Sequence, residues 1–277
     1  MKPVQDLLKE KGIAISNFSW RPAKLFEGGT RANISLSILV STNNKKVYST
    51  TYNKWSSEER PKLFKSISYL ENSDFRYNFI PKLGNKLDKN IYRKVYNLPT
   101  LGSKVANGKT THKIYYRNTG GLYWKIFTDF QPEFYKDGKK TKSSREAHLY
   151  SINENDMYTS LALFWSNFYW WWYIVNSNGR DNNPFDLKSM PITDGLYQDG
   201  NLIKLAKRLM KDLIANSEMA ERKHDKSLTV GQKFSPKMSK SIVDEIDETI
   251  SKYYGFLPDE LTYLKHYDLK YRLGREE

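Results

Sequence analysis

The sequence predicts an α+β fold, with β-hairpins and short helices over residues 1–195 and a helical region over 196–277. Three features predict it: two stretches of strand-like alternation before residue 130, a charge-free aromatic run from Met157 to Gly179, and apolar residues at three- and four-residue steps after Pro191.

In chain order, the first alternation runs from Asn33 to Ser41. Ile34, Leu36, Ile38 and Val40 fall on one face and Asn33, Ser35 and Ser37 on the other, the pattern of a half-buried strand. Asn43 and Asn44 supply turn chemistry and Val47–Tyr52 is again β-rich, so the spacing predicts a hairpin. A second hairpin is predicted from Lys113–Arg117 and Leu122–Phe127, joined by Asn118-Thr119-Gly120-Gly121, whose glycines permit positive φ. Between the hairpins, Trp55–Thr111 is basic and aromatic and broken by Pro61, Pro81 and Pro99, which predicts short helices and loops.

Met157–Gly179 is long enough to span a bilayer, but its aromatics gather mid-run around Ser166 and Asn167 rather than at two interfaces. It reads as a buried aromatic helix or helix-strand segment. Leu202, Leu205, Ala206, Leu209, Leu213 and Ile214 then form the stripe of an amphipathic helix of about five turns. Glu218–Lys240 is polar and reads as a linker. Ile242, Ile246 and Ile250 predict a further helix stopping at Gly255, and Pro258 with Asp259 starts another through Leu261, Leu264 and Tyr267.

Charge is distributed unevenly. Residues 1–150 hold 28 Lys and Arg against 12 Asp and Glu, a net of +16, whereas the remainder holds 17 against 19, a net of −2. A polyanion is the natural partner for the first half, because neutralising phosphates releases counterions. The absence of cysteine excludes disulfide scaffolds, thiolate metal sites and cysteine nucleophiles, and with no signal-peptide pattern at the start an intracellular, cytoplasmic protein is expected.

Chemistry-bearing motifs are sparse. His112, His148, His224 and His266 have no partner at zinc-ligand spacing, and no nucleophile elbow, Walker loop or dinucleotide turn is present. Asp186-Leu187-Lys188, with Asp181, leaves a metal-dependent nuclease as an alternative. Asn182-Asn183-Pro184-Phe185 has part of the pattern with which amino-methylating enzymes hold a flipped base, yet Asn183 stands at the first proline position and the residues suit an ordinary loop. No catalytic, cofactor-binding or metal residue is assigned in this chain.

Four segments carry a family resemblance. Arg21-Pro22-Ala23-Lys24-Leu25-Phe26-Glu27-Gly28, with Arg31, resembles the segment that opens the target-recognition region of large adenine-N6 DNA methyltransferases, including type IIG restriction-modification enzymes and phage-exclusion methyltransferases. Tyr115-Tyr116-Arg117-Asn118-Thr119-Gly120-Gly121-Leu122-Tyr123-Trp124-Lys125 is similar to their Tyr-Arg-x-Thr-Gly-Gly hairpin, and Ser143–Ile192 to their aromatic block. Ile242–Asp247 through Tyr254-Gly255-Phe256 to Tyr267–Gly274 resembles their C-terminal ending.

The resemblance implies a target-recognition part for double-stranded DNA, whose methyl donor S-adenosylmethionine is bound by a separate catalytic domain or subunit. The chain has neither that domain's cofactor loop nor an intact Asn-Pro-Pro-Tyr, consistent with a subunit, an excised domain or a truncated product. Under this reading the groove candidates are the polar loop residues Lys104, Asn107, Lys109, Thr110, Arg117 and Asn118, because Arg matches guanine and Asn matches adenine through paired groups. Arg21, Lys24, Arg31 and Lys125 complete the expected DNA-binding set, with Arg21 and Lys24 better suited to holding the catalytic half than to touching a base. An RNA-binding or inhibitory protein using the same basic face is the remaining alternative.

Overall fold

The computed structural model describes residues 2–23, 25, 36–42, 44–74, 80–120, 123–224 and 227–273. The architecture is α+β, as predicted. The chain divides into two compact units, residues 1–93 with 172–179 and residues 94–171 with 180–277. The expected boundary at residue 195 is therefore corrected, and strand pairing across it supplies the reason below.

The first unit begins with α1 (Lys2–Lys11), followed by β1 (Ile13–Phe18), β2 (Leu36–Ser41), β3 (Val47–Asn53) and β4 (Leu70–Glu71). The sheet order is β2-β1-β3-β4, with β1 antiparallel to β2 and parallel to β3. The predicted hairpin between β2 and β3 does not form, because β1 lies between them. β1 buries Ile13, Ile15, Ser16, Asn17 and Phe18 together, so it is a central strand with no polar face to reveal it by alternation. β2 is an edge strand, and the predicted half-burial is corrected: Ile38, Leu39 and Val40 are 37%, 48% and 59% exposed. Ile34 lies outside the described residues. Phe18, Ala23, Trp55 and Leu63 form one packed cluster, Phe18 meeting Trp55 edge to face at 6.0 Å. α2 (Lys86–Val95) follows, burying Ile91 and Tyr92, and Tyr92 stacks on Trp172 at 5.5 Å.

The second unit holds β5 (Lys113–Arg117), β6 (Phe127–Thr128), β7 (Phe134–Lys136), β8 (Lys139–Lys140) and β9 (Glu146–Tyr150). β5 is flanked by β6 and β9, both antiparallel. β5 does pair with a later antiparallel strand, but the predicted return strand Leu122–Phe127 and its four-residue turn are corrected: β6 is Phe127–Thr128, with Tyr116 opposite Phe127, so the connection is longer than the turn expected, and Leu122 lies outside the described residues.

The aromatic run folds as α3 (Glu154–Trp165) and α4 (Asn167–Asn176), and every residue from Met157 to Val175 except Tyr158 is buried. Ser166 divides them chemically: its hydroxyl donates to Leu163 O at 2.6 Å, closing α3, and accepts from Tyr169 N at 2.9 Å, opening α4. Trp165 satisfies its indole N–H on Phe127 O at 2.8 Å, and Phe127 stacks on Phe164 at 4.6 Å. Among the described residues no helix is long and apolar enough to cross a membrane.

After α5 (Pro184–Lys188), α6 (Gly200–Ala215) buries the predicted stripe, although Ile214 at its end is 50% exposed. The expected linker and the wholly helical tail are corrected by β10 (Ser217–His224) and β11 (Ser227–Phe234), a hairpin paired in continuous register from Ser217 opposite Phe234 to His224 opposite Ser227. β11 also pairs with β7, giving the sheet order β10-β11-β7-β8. That pairing joins residues on both sides of position 195 into one unit. Polar residues stand on both faces of the hairpin, which removes the alternation by which a strand is recognised.

The chain closes with α7 (Lys240–Tyr254), α8 (Pro258–His266) and α9 (Leu269–Arg272). Gly255 ends α7 at φ 62°, the left-handed cap a glycine adopts without a Cβ penalty, and Pro258 occupies the first turn of α8. Arg272 is 6% exposed and lies 3.8 Å from the Trp124 ring centroid and 5.3 Å from that of Trp170. It donates to Asn167 Oδ1, while Asn167 donates through its backbone N–H and side-chain amide to Asp247.

Candidate nucleic-acid interface

β5 displays Lys113, Tyr115 and Arg117 on one face and buries Ile114 and Tyr116 on the other, the two-residue period of a strand. Across from β5, in β9, Glu146 stands opposite Arg117 and His148 opposite Tyr115. The Glu146 carboxylate is already engaged, accepting from Gln131 Nε2 at 3.1 and 3.2 Å and lying 2.8 Å from His148 Nε2.

The facing wall comes from the hairpin the sequence did not reveal. Its register sets Arg222 opposite Thr229 and Ala220 opposite Gly231, and Gly231 in turn opposite Phe134 of β7. Alternation puts Ala220 and Arg222 on one face. At Gly231 the missing side chain admits the Phe134 ring, since a Cβ there would lie 3.2 Å from Phe134 Cδ2. Between the two sheets is a cavity of about 560 Å³, lined by residues that include Tyr115, Arg117, Arg145, Arg222, Gly231 and Phe134.

Arg117, Arg145 and Arg222 all border this cavity, and among the described residues none pairs with a carboxylate. The acids nearby have other partners: Glu133 takes Lys140 at 2.6 Å and Tyr135 at 2.7 Å, and Glu218 takes Lys233. Partial loss of solvent, then the charges of Arg222 and Arg145, lower the Arg117 pKa. Three guanidiniums sharing one opening repel each other, and an anion seated among them is stabilised by all three.

Asn118 adds an exposed side-chain amide on a fixed backbone. Its backbone is fixed, N–H to Arg145 O and carbonyl to Asn182 N, each at 2.9 Å. Asn182 Nδ2 donates to Arg117 O at 3.2 Å, and Thr119 donates to Asp181 Oδ1 at 2.6 Å. The Asn118 side chain is exposed and, among the described residues, has no hydrogen-bond partner.

The predicted set is divided by β5. Lys104 ends a short 3-10 helix (Leu101–Lys104), and Asn107, Lys109 and Thr110 occupy the loop between it and β5, held where Ala106 N donates to Tyr150 O at 2.8 Å and Thr110 Oγ1 to Ser151 O at 2.9 Å. Asn107 and Lys109 are exposed. Thr110 spends its hydroxyl on the loop, and Lys104 Nζ sits 4.8 Å from the Tyr197 ring centroid. Arg117 and Asn118 lie at the other end, about 13 Å away for four strand steps.

Lys125 is corrected as a surface contact. It is 5% exposed and donates to Gly120 O at 2.7 Å and Arg180 O at 2.8 Å, and burial lowers its pKa to about 8 against the opposing pull of Asp181 and Asp186. Its ammonium ties two loops together. Arg21 belongs to the first unit, exposed and 4.6 Å over the Trp20 ring, apart from the other candidates in the chain's division. Lys24 and Arg31 lie outside the described residues.

Arg145 and Arg222 were not singled out from sequence. Arg145 precedes β9 within a polar stretch, and Arg222 belongs to the residues read as linker; only knowledge of the β7–β11 pairing would have joined them.

The alternative chemistries find their residues occupied. Asp186 accepts from Asn183 Nδ2 at 3.0 Å in the cap of α5. Asp181 holds Thr119, and among the described residues no group of three or more His, Asp or Glu could hold a metal ion. Asn182 is 1% exposed, with its side chain committed to Arg117 O and Tyr169, while Phe185 of the same motif is 68% exposed. Compared with known protein families and with curated proteins, the chain matches none.

Proposed function

We propose that this protein binds double-stranded DNA selectively, as the target-recognition part of an adenine-N6 DNA methyltransferase or restriction-modification system, with chemistry supplied by a separate S-adenosylmethionine-binding domain or subunit. The observation that carries the proposal is the convergence of Arg117, Arg145 and Arg222 on one cavity without a carboxylate partner among the described residues. Guanidinium groups that lack a carboxylate partner among the described residues are of the kind that binds phosphate in a salt-dependent way.

The spacing supports the same reading. The two ends of β5, one preceded by the loop of Asn107 and Lys109 and the other with Arg117 and Asn118, are about 13 Å apart, about four base-pair rises along a duplex axis. Lysine and arginine fix the register on the backbone, and the Asn118 amide, on a pinned loop, suits the paired groups of adenine. A protein with this role acts beside DNA in the cytoplasm.

The test is fluorescence anisotropy with the full chain and a duplex pool of randomised sequence, repeated across salt concentrations. Selective enrichment and a linear fall of log affinity with log salt are expected. Asn118→Ala then relaxes the preference at one base position with little change in salt slope. Equal retention of all duplexes, also beside a competent catalytic companion, would overturn the recognition role. Methyl incorporation by this chain alone would overturn the division of labour.

A further inference from the structure

We propose that the cavity between the two sheets receives one unpaired nucleotide, its base against the ring-bearing walls and its 5′-phosphate among Arg117, Arg145 and Arg222. This deepens the DNA-binding reading and rests on it for the source of the nucleotide.

Size is the first argument. A cavity of about 560 Å³ falls within the range that encloses a single small molecule, and a stack of base pairs cannot enter it. The chemistry of the lining is the second. Tyr115, whose ring also meets His148 edge to face at 4.9 Å, and Phe134 border the cavity from opposite sheets and give it an aromatic lining, which suits a nucleobase without regard to its identity, since every base has a π-face. Gly231 and Ala220 leave the floor of the hairpin wall low, and the Phe134 ring occupies the space the glycine gives up. Arginine completes the set by combining phosphate pairing with stacking on a ring plane.

A ligand with only one of these features uses half the site. Inorganic phosphate meets the arginines and leaves the aromatic walls solvated. A nucleoside meets the walls and leaves three like charges unneutralised. The nucleoside monophosphate answers both.

The experiment titrates the full chain with deoxyadenosine monophosphate, deoxyadenosine and inorganic phosphate by NMR chemical-shift perturbation. At least tenfold tighter binding of the monophosphate than of either fragment is expected. Arg222→Gln weakens it at least fivefold at an unchanged melting temperature. Equal affinity for monophosphate and phosphate reduces the cavity to an anion patch and overturns the proposal, as does no binding of any of the three.

A second arm uses a duplex carrying a single 2-aminopurine bulge beside the fully paired duplex. Quenching of the bulged fluorophore on binding is expected, and its loss in Arg222→Gln. If the paired duplex binds with a salt slope while the bulge stays bright and the monophosphate does not bind, the nucleotide proposal fails and the DNA reading stands. If the monophosphate binds and neither duplex does, the DNA reading fails and the pocket stands.

Discussion

Arg272 and the trio Arg117, Arg145 and Arg222 belong to the same compact unit but have opposite surroundings. Arg272 is enclosed by Trp124 and Trp170, donates to Asn167, and has its pKa lowered to about 10 by burial against the pull of Asp247, Asp268 and Asp244. The trio borders an open cavity with acids nearby that are committed elsewhere. The same side chain is thus used twice, once to hold α9 against the aromatic helices and once to present charge. Sequence alone singles out Arg117 and not Arg145 or Arg222; partner occupancy is what sets the trio apart from Arg272.

The difference between the two settings breaks most visibly at Arg272. Arg272→Ala strips the two indoles of their cation and leaves Asn167 Oδ1 without its donor, so a loss of about 3–5 kcal/mol of stability is expected, as for removal of one member of a buried polar pair. Urea unfolding followed by tryptophan fluorescence measures it. A loss under about 1 kcal/mol would mean that α9 packs without its arginine.

The same network makes stability pH-dependent. Burial raises the Asp247 pKa to about 7, opposed by its hydrogen bonds from Asn167 and by Arg272, and assisted by the charge of Asp244. Between about pH 4 and 7 the folded protein therefore keeps a proton that the unfolded chain has released. Its contribution is fully present below about pH 4, declines through the interval and is flat above about 7. At about 1.4 kcal/mol per unit it amounts to a few kcal/mol at most. Asp247→Asn shifts overall stability by a constant but removes this slope, so the wild type's stability relative to the variant should fall as pH rises from about 4 to 7. Parallel urea midpoints for the two proteins over that interval would assign the proton elsewhere.

At the cavity the expected pattern reverses. Replacing Arg117, Arg145 and Arg222 together by Gln removes repulsion rather than a bond, and each exposed change should alter stability by no more than about 0.5 kcal/mol. Duplex DNA binding suffers instead, with the salt slope reduced by about 0.9 for each phosphate no longer neutralised. Lys125→Met is the opposite kind of change: it frees Gly120 O and Arg180 O and costs stability, while the salt slope stays near that of the wild type. A slope unchanged in the triple variant would place the DNA on another face.

How legible these regions were follows from their chemistry. The aromatic core was readable because burial of Met157–Val175 excludes charge, and helix ends were readable because Gly255 and Pro258 have few other uses. Arg117 and Asn118 were legible as turn-adjacent polar residues. The rest of the cavity depends on pairing between positions about a hundred residues apart, such as Gly231 with Phe134, which no local period encodes. β1 and the β10–β11 hairpin were missed for opposite reasons. One buries both faces and the other has polar residues on both, so neither alternates. Lys125 was misread because a buried lysine and a surface lysine look alike until the carbonyls around it are known.

The smallest expected effect concerns the cavity floor. Gly231→Ala adds a methyl 3.2 Å from Phe134 Cδ2, on a backbone that does not need a positive φ. The reduced freedom of the unfolded chain stabilises such a change by about 0.4–1 kcal/mol, and displacing the ring by a few tenths of an ångström offsets it, so the net shift in stability should stay within about 1 kcal/mol. Phe134 is half-buried and bounded by the cavity, so it can yield in that direction. Duplex affinity should then change by less than about threefold, because each base-aromatic stack is worth only about 1–3 kcal/mol and none is removed outright. Gly231→Val, whose second methyl has no such escape, should reduce binding further at the same salt slope. A fall in slope with either substitution would show that the floor positions the arginines, and the wall and the charges would then have to be treated as one device.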